Sequence, residues 1–237
     1  MLKFDNVSFS YKDGAGSKVL DKTNFEIENA SIVSMIGPSG CGKTTIAKLI
    51  AGYLMPTTGT VSIMGEQVLK PNHSRFIISQ EDDLLDWMTV KKNIQFAAKT
   101  DVTKYLRLVH LEGDSDKYPY QLSGGMKKRV AIARALAADA KYLIIDEAFG
   151  SLDYQIKEHL YYELLHIWEE TGKTILLITH DLDEAIFLSD KIIVLTKTPS
   201  HVKTTIQIPF PRPRDEQLFY TQEFIKLKRR IQELIDT

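Results

Sequence analysis

A chain of 237 residues with a formal net charge of −1, 43% hydrophobic and 26% charged, has the make-up of a globular domain or of a core with a subdomain. That balance argues against a strongly basic nucleic-acid binder, and no run of about 18 apolar residues offers a helix that could span a bilayer. No N-terminal segment reads as a secretory signal, no repeat is visible, and the single cysteine, Cys41, excludes an intramolecular disulfide, which is compatible with a reducing compartment.

Residues 2–11 alternate apolar and polar side chains, the pattern of a half-exposed strand. Asp13-Gly14-Ala15-Gly16 forms a turn before a second extended stretch over 19–27. Tyr11 closes the first strand. Edge-strand packing and stacking of its ring on a planar base both suit that position, and spacing does not separate them. Residues 31–36 are a short, β-branched stretch and predict a buried strand, while residues 45–51 carry apolar side chains at helical spacing. Between them, Gly37-Pro38-Ser39-Gly40-Cys41-Gly42-Lys43-Thr44 fits G-x-x-x-x-G-K-[ST] without mismatch. Strand, glycine loop and helix are the context of a phosphate-binding loop.

The chemistry follows from the residue types. Glycines let successive backbone N–H groups turn inward on phosphate oxygens, and the next helix aims its positive end at the same anion. Lys43 suits the β- and γ-phosphates and the Thr44 hydroxyl suits Mg²⁺, so the loop predicts binding of a nucleoside triphosphate. Cys41 lies where a helix N-terminus can activate a thiol, yet a small residue tolerated in a tight loop accounts for it, and it is given no catalytic role.

Met55-Pro56-Thr57-Thr58-Gly59 is a turn and residues 60–65 a short strand. Residues 75–80 are β-rich and end in Gln80, whose amide oxygen can face Mg²⁺ or an attacking water but carries little weight alone. Leu84-Leu85-Asp86-Trp87-Met88 is an apolar cluster in a loop, either packed beneath a helical segment or offered to a partner. Helical periodicity then runs over 90–97 and 102–109, with breaks at Thr100-Asp101 and Gly113-Asp114. Leu122-Ser123-Gly124-Gly125-Met126 opens a basic helix over 127–136. It is a possible second anion site, although taken alone an ordinary N-cap explains it better.

Residues 141–147 form a buried strand ending in Asp146 and Glu147, at the sheet edge where open α/β folds bind ligands. Asp146 suits Mg²⁺, and Glu147 can polarise a water aimed at the γ-phosphate. Ser151-Leu152-Asp153 precedes a helix over 154–170, and a buried strand over 173–180 delivers His180 to the same edge. A helix over 183–189 and a strand over 191–195 follow. His73, His110, His159, His166 and His201 fit no cluster. Pro209, Pro211 and Pro213, with Arg212 and Arg214 between them, predict an extended link. Phe224, Leu227, Ile231, Leu234 and Ile235 share one face of a last helix, read as docking on the body because acidic residues share its polar face.

Taken together, Gly37–Thr44, Gln80, Leu122–Met126, Tyr142–Glu147, Ser151–Asp153 and His180 stand in the order that resembles the ATP-binding cassette (ABC) ATPases, over residues 2 to about 195. The resemblance implies an α/β fold: a P-loop NTPase core with a mixed sheet, an N-terminal antiparallel β subdomain and an inserted helical subdomain. It implies one domain over 1–237, with 1–83 and 141–208 as nucleotide-binding core, 84–140 as the helical subdomain with the signature, and 209–237 as C-terminal link and helix. Implied ATP contacts are Tyr11, Gly37, Pro38, Ser39, Gly40, Cys41, Gly42, Lys43, Thr44 and Thr45, with Ser123, Gly124, Gly125 and Asp153. Implied Mg²⁺ ligands are Thr44, Gln80 and Asp146, and implied catalytic residues Glu147 as base, His180 as γ-phosphate switch and Gln80.

The same resemblance implies that two copies pair head to tail, each ATP lying between one copy's Lys43 and the other's Ser123-Gly124-Gly125. Gln80-Glu81-Asp82-Asp83-Leu84-Leu85-Asp86-Trp87, Met126 in the signature, Phe149-Gly150 and the Pro/Arg-rich link are similar to the importer ATPases for nitrate, sulfonate and taurine. Such a subunit sits peripherally on the cytoplasmic membrane face. It binds a permease through Leu84–Trp87 and works with an extracytoplasmic solute-binding protein indirectly, with no nucleic-acid partner. Two residues depart from the pattern: Ala148 stands where proline is usual after the catalytic Glu, and Asp86 where proline often precedes the Trp. The alternatives are an export or lipid-system ATPase, or a non-transport cassette, which usually carries a coiled coil, second cassette or basic extension that this chain lacks.

Overall fold

The computed structural model describes residues 1–11, 17–79, 84–98, 101–150 and 152–236, and the chain divides into two compact units, Met1–Asn72 with Thr174–Thr237, and His73–Lys173. Gln80, Glu81, Asp82, Asp83 and Ser151, and the turn at Asp13-Gly14-Ala15-Gly16, lie outside the described residues.

The first unit holds two sheets. β1 (Leu2–Ser10) runs antiparallel to β2 (Lys18–Ile27) on one side and to β4 (Thr58–Ile63) on the other, with short β5 (Glu66–Gln67) beside β4. Phe4 lies opposite Phe25 in this register and the rings stack at 4.3 Å, a cross-strand pair that ties the sheet on its buried face. In the second sheet β3 (Ile32–Ile36) lies between β8 (Thr174–Ile178) and β9 (Lys191–Leu195), all parallel, and β10 (Val202–Gln207) closes the edge antiparallel to β9. Every residue of β3 and β8 is buried, and apart from Ser34 and Thr174 every one is apolar, as strands covered on both faces of a parallel sheet require.

Around that sheet stand α1 (Lys43–Ala51), α6 (Leu182–Leu188) and α7 (Gln222–Asp236). Phe224 and Ile231 of α7 are fully buried against Ile36, Leu182, Ala185, Ile186 and Val194, so the last helix docks on the body through its apolar face. The link before it is bolted to α6. Arg214 donates to the carbonyls of Ile186, Phe187 and Ser189 at 3.1, 2.6 and 2.8 Å, and to Phe210 O from Nε and Nη2. Arg212 donates to Leu188 O and to Asp190. Two guanidinium groups thus satisfy the orphan carbonyls at a helix C-terminus and complement its dipole. Burial pushes the Arg214 guanidinium down to about 10, which leaves it charged at neutral pH.

In the second unit β6 (Arg75–Ile78) runs parallel to β7 (Tyr142–Asp146), and α2 (Val90–Ala97) and α3 (Thr103–Leu108) pack on α4 (Gly124–Ala137). α5 (Tyr154–Thr171) joins α4 through an ion pair between Arg129 and Glu163 at 2.7 Å, with His159 3.2 Å from the same carboxylate. Burial raises the Glu163 carboxyl above its ordinary range, and the charge of Arg129 opposes that shift. The architecture is α/β with a mixed sheet, an antiparallel N-terminal sheet and a helical insert, as the resemblance implies.

Candidate phosphate-binding site

In the first unit the stretch between β3 and α1 is the phosphate loop. Gly42 is the N-cap of α1 at φ +97°, and a Cβ there would lie 2.6 Å from a methyl of Val19, so only glycine fits the angle and the space. No side chain caps α1 and its first turn holds no acidic residue, which leaves the first N–H groups of the helix for an anion. The Lys43 side chain is turned back into the loop and only 7% exposed; its ammonium donates to Gly37 O at 2.9 Å and Pro38 O at 3.2 Å. A lysine ammonium, uncapped helical amides and the exposed Thr44 make a donor set that fits a polyphosphate.

Tyr11, 37% exposed, sets its ring edge-on to Phe9 at 4.9 Å, and its hydroxyl lies 3.1 Å from Thr45 Oγ1. The aromatic predicted from the first strand is therefore tied to the helix that follows the loop. Cys41 is buried, and burial pushes its thiol up against the opposing charge of Lys43, the reverse of an activated thiol.

His180, exposed, follows the end of β8, and the backbone on both sides of it is fixed. Thr179 Oγ1 donates to Glu184 at 2.8 Å and accepts from the Asp181 amide at 3.0 Å, while Asp181 caps α6 by accepting from Asp183 N and Glu184 N. Sequence reasoning passed over Glu184. Its signal is an N-cap residue followed three positions later by glutamate, here with the carboxylate bonded to Thr179. A second group missed from sequence lies between β9 and β10: Thr198 Oγ1 donates to Gly40 O at 2.8 Å and Ser200 Oγ to Cys41 O at 2.6 Å.

In the second unit Asp146 and Glu147 follow one another at the end of β7, both half-buried. Glu147 has φ +51°, a left-handed conformation uncommon for a residue with a side chain of this kind. Ala148, in the place of the usual proline, is buried and spares Glu147 the backbone restriction that a following proline imposes. Ser123 caps α4 by accepting from Met126 N at 3.3 Å, so Gly124 and Gly125 form its first turn. A Cβ on Gly125 would lie 2.8 Å from Ile156, and one on Gly124 2.8 Å from Leu152, so the glycine pair lets α4 approach the start of α5. Asp153 is the exposed N-cap of α5.

The apolar loop before α2 presents Trp87 at 72% exposure. It is held by Asn93, which is fully buried. The Leu85 amide donates to its Oδ1 at 2.9 Å, and its Nδ2 donates to the carbonyls of Leu85, Met88 and Thr89 at 3.1, 2.9 and 3.2 Å. Among the described residues, no helix is long and apolar enough to cross a membrane.

Comparison with known proteins agrees with this geometry. The family described as ABC transporter matches residues 20–150. The aliphatic sulfonates import ATP-binding protein SsuB of Bacillus cereus is 40% identical over 92% of this chain and 91% of its own length. The nitrate import ATP-binding protein NrtD of Synechococcus elongatus is 40% identical over 91% and 84%, and the bicarbonate transport ATP-binding protein CmpD of Synechocystis sp. 40% identical over 90% and 81%. Among solved structures, the dimeric cassette MJ0796 covers 89% of this chain and 100% of its own, at 28% identity and TM-score 0.76. Its dimeric post-hydrolysis state, bound to ADP and Pi, matches at TM-score 0.75. With a phosphate loop, a Ser-Gly-Gly helix cap and this likeness along most of its length, the chain belongs to the ABC transporter family of ATP-binding cassettes.

Proposed function

We propose that this chain is the ATP-hydrolysing subunit of an importer for a small solute of the sulfonate, nitrate or bicarbonate kind, working as a head-to-tail pair on a separate membrane permease. The observation that supports it most is the presence in one chain of a phosphate loop and of a Ser-Gly-Gly helix start, the two motifs whose order resembles the ATP-binding cassettes. One is the uncapped start of α1 with Lys43 turned into its loop; the other is the exposed Ser123-Gly124 step at the start of α4. A chain that carries both halves completes a site with a second copy of itself.

In this reading the loop amides and Lys43 bind the β- and γ-phosphates, Tyr11 offers its ring to adenine, and Ser123, Gly124 and Gly125 of the second copy close over the γ-phosphate, with Asp153 lining the same junction. Glu147 accepts a proton from the attacking water, and His180, on the backbone fixed by Thr179 and Asp181, orients water and γ-phosphate. Thr44, Asp146 and Gln80 would hold Mg²⁺, which neutralises charge on the phosphates when bound. In the same reading Leu84–Trp87, with Trp87 exposed, meets the permease, the subunit is peripheral on the cytoplasmic membrane face, and an extracytoplasmic solute-binding protein is an indirect partner.

The test is Glu147→Gln at saturating Mg·ATP in analytical ultracentrifugation. We expect a dimer that dissolves when ADP replaces ATP, ATP hydrolysis at least about 100-fold below wild type, and co-purification of the wild type with a membrane permease. A variant that hydrolyses at the wild-type rate removes Glu147 as base. A chain stimulated by RNA, DNA or ribosomes and by no permease removes the importer assignment.

A further inference from the structure

The segment between β9 and β10 has no part in the reading above, yet it grips the back of the phosphate loop. Ser200 is fully buried and all its polar atoms are engaged. Its hydroxyl donates to Cys41 O at 2.6 Å, its amide to Val19 O at 2.8 Å, and its carbonyl accepts from Asp21 N at 2.9 Å and Thr23 Oγ1 at 3.0 Å. One residue thus joins β2 to the loop. Thr198, exposed two positions earlier, donates to Gly40 O at 2.8 Å, and the segment is closed on itself by Thr196 N donating to His201 O and His201 N to Thr196 Oγ1, both at 3.0 Å.

The consequence follows from peptide planarity. In a trans peptide the C=O and the next N–H point in opposite directions, so fixing one aims the other. With Cys41 O held by Ser200, the Gly42 amide of the same peptide is directed the opposite way, away from Ser200. With Gly40 O held by Thr198, the Cys41 amide is directed across the loop, where it donates to Pro38 O at 3.2 Å. A Cβ on Gly42 would touch Val19 at 2.6 Å and Leu20 at 3.2 Å, so the loop is seated on β2 as well.

We infer that Ser200 and Thr198 are positioning residues for nucleotide binding: their hydroxyls orient two peptide groups of the phosphate loop and so set the affinity for the polyphosphate. The inference rests on the ATPase reading. The role is preorganisation: Ser200 fixes the direction of the Gly42 amide and Thr198 the peptide that closes the Cys41–Pro38 turn, so the loop needs no rearrangement when the anion arrives.

The test compares Thr198→Val, Thr198→Ser and Ser200→Ala with wild type in steady-state ATP hydrolysis, Mg·ADP calorimetry and thermal unfolding. Thr198 is exposed, so its variants keep the fold even where Ser200→Ala does not. Removing one neutral hydrogen bond of this kind predicts a KM for ATP and a Kd for Mg·ADP raised about 3- to 10-fold, with kcat within about 2-fold. Thr198→Ser, which keeps the donor, should restore wild-type values. Thr198→Val with unchanged KM and Kd overturns the inference, as does a Thr198→Ser that behaves like the valine variant, or a loss confined to kcat. A wild-type chain that binds no nucleotide overturns the ATPase reading and this inference together, whereas a wild type that binds normally beside unaffected variants overturns the inference alone.

Discussion

Replacing Asn93 tests whether one buried amide shapes the loop that carries Trp87. Of the four backbone groups on its side chain, two have other partners: Leu85 O also accepts from Met88 N at 2.9 Å, and Thr89 O from Asn93 N at 2.8 Å. Asn93→Ala therefore strips the Leu85 amide and the Met88 carbonyl. Each costs about 1–3 kcal/mol if it stays buried, for a total of about 2–6 kcal/mol. In a chain of this size that lowers Tm by about 4–24 °C. If the loop opens to water instead, the loss of stability shrinks and the loop loses its form, so residues 84–89 become a protease site. The two outcomes are read by calorimetry and by limited proteolysis with mass mapping. Asn93→Asp is harsher still, because it turns an acceptor towards three carbonyls. An Asn93→Ala chain with Tm within about 1 °C of wild type and an unchanged digestion pattern would refute the reasoning.

Cys41 should resist alkylation: with its thiol buried and pushed up, iodoacetamide at pH 8 should label the folded chain at least about 10-fold more slowly than the urea-unfolded chain, and equal rates contradict this. Phe224→Ala in α7 should cost about 3–5 kcal/mol in urea denaturation, and a loss under about 1 kcal/mol would mean that α7 is not docked as described. The raised Glu163 carboxyl has a definite pH signature. The folded chain holds its proton more tightly than the unfolded one, so this stabilisation is full below the unfolded value and is lost as pH rises through the folded value. Unfolding free energies measured from about pH 4 upward should therefore move in favour of Glu163→Gln relative to wild type, and parallel profiles would show that Glu163 is not shifted.

Much of the fold was legible because the strongest signals are local. β3 and β8 are short runs apolar but for Ser34 and Thr174, and α7 carries a single apolar stripe, so period and length identify them. β10 went unread although Val202 to Ile206 alternates, because Lys203, Thr204 and Thr205 give it the polar look of a linker and its place depends on pairing with β9. The phosphate loop was legible from spacing alone, since its chemistry is in its own backbone. Its supports were not: Ser200 and Thr198 lie more than 150 positions from the carbonyls they hold, as the separations of 159 and 158 show, and no sequence period reports such a contact. Arg214 looked like part of an extended link, and only tertiary packing reveals it as the C-terminal cap of α6. Glu147 at positive φ is likewise invisible in composition, because nothing in a run of apolar residues followed by two carboxylates announces a left-handed step.

The two bonds from Lys43 to Gly37 O and Pro38 O have a consequence for turnover. They are a tethered rival to the nucleotide, carried on the same loop and never diluted away. The ammonium has three donors, and a phosphate that displaced either carbonyl would be bound by the margin between two sets of contacts. When the phosphate departs, the cation has its own carbonyls to return to and does not need to retain the product. The loop that captures a polyphosphate thus also carries the means of letting it go.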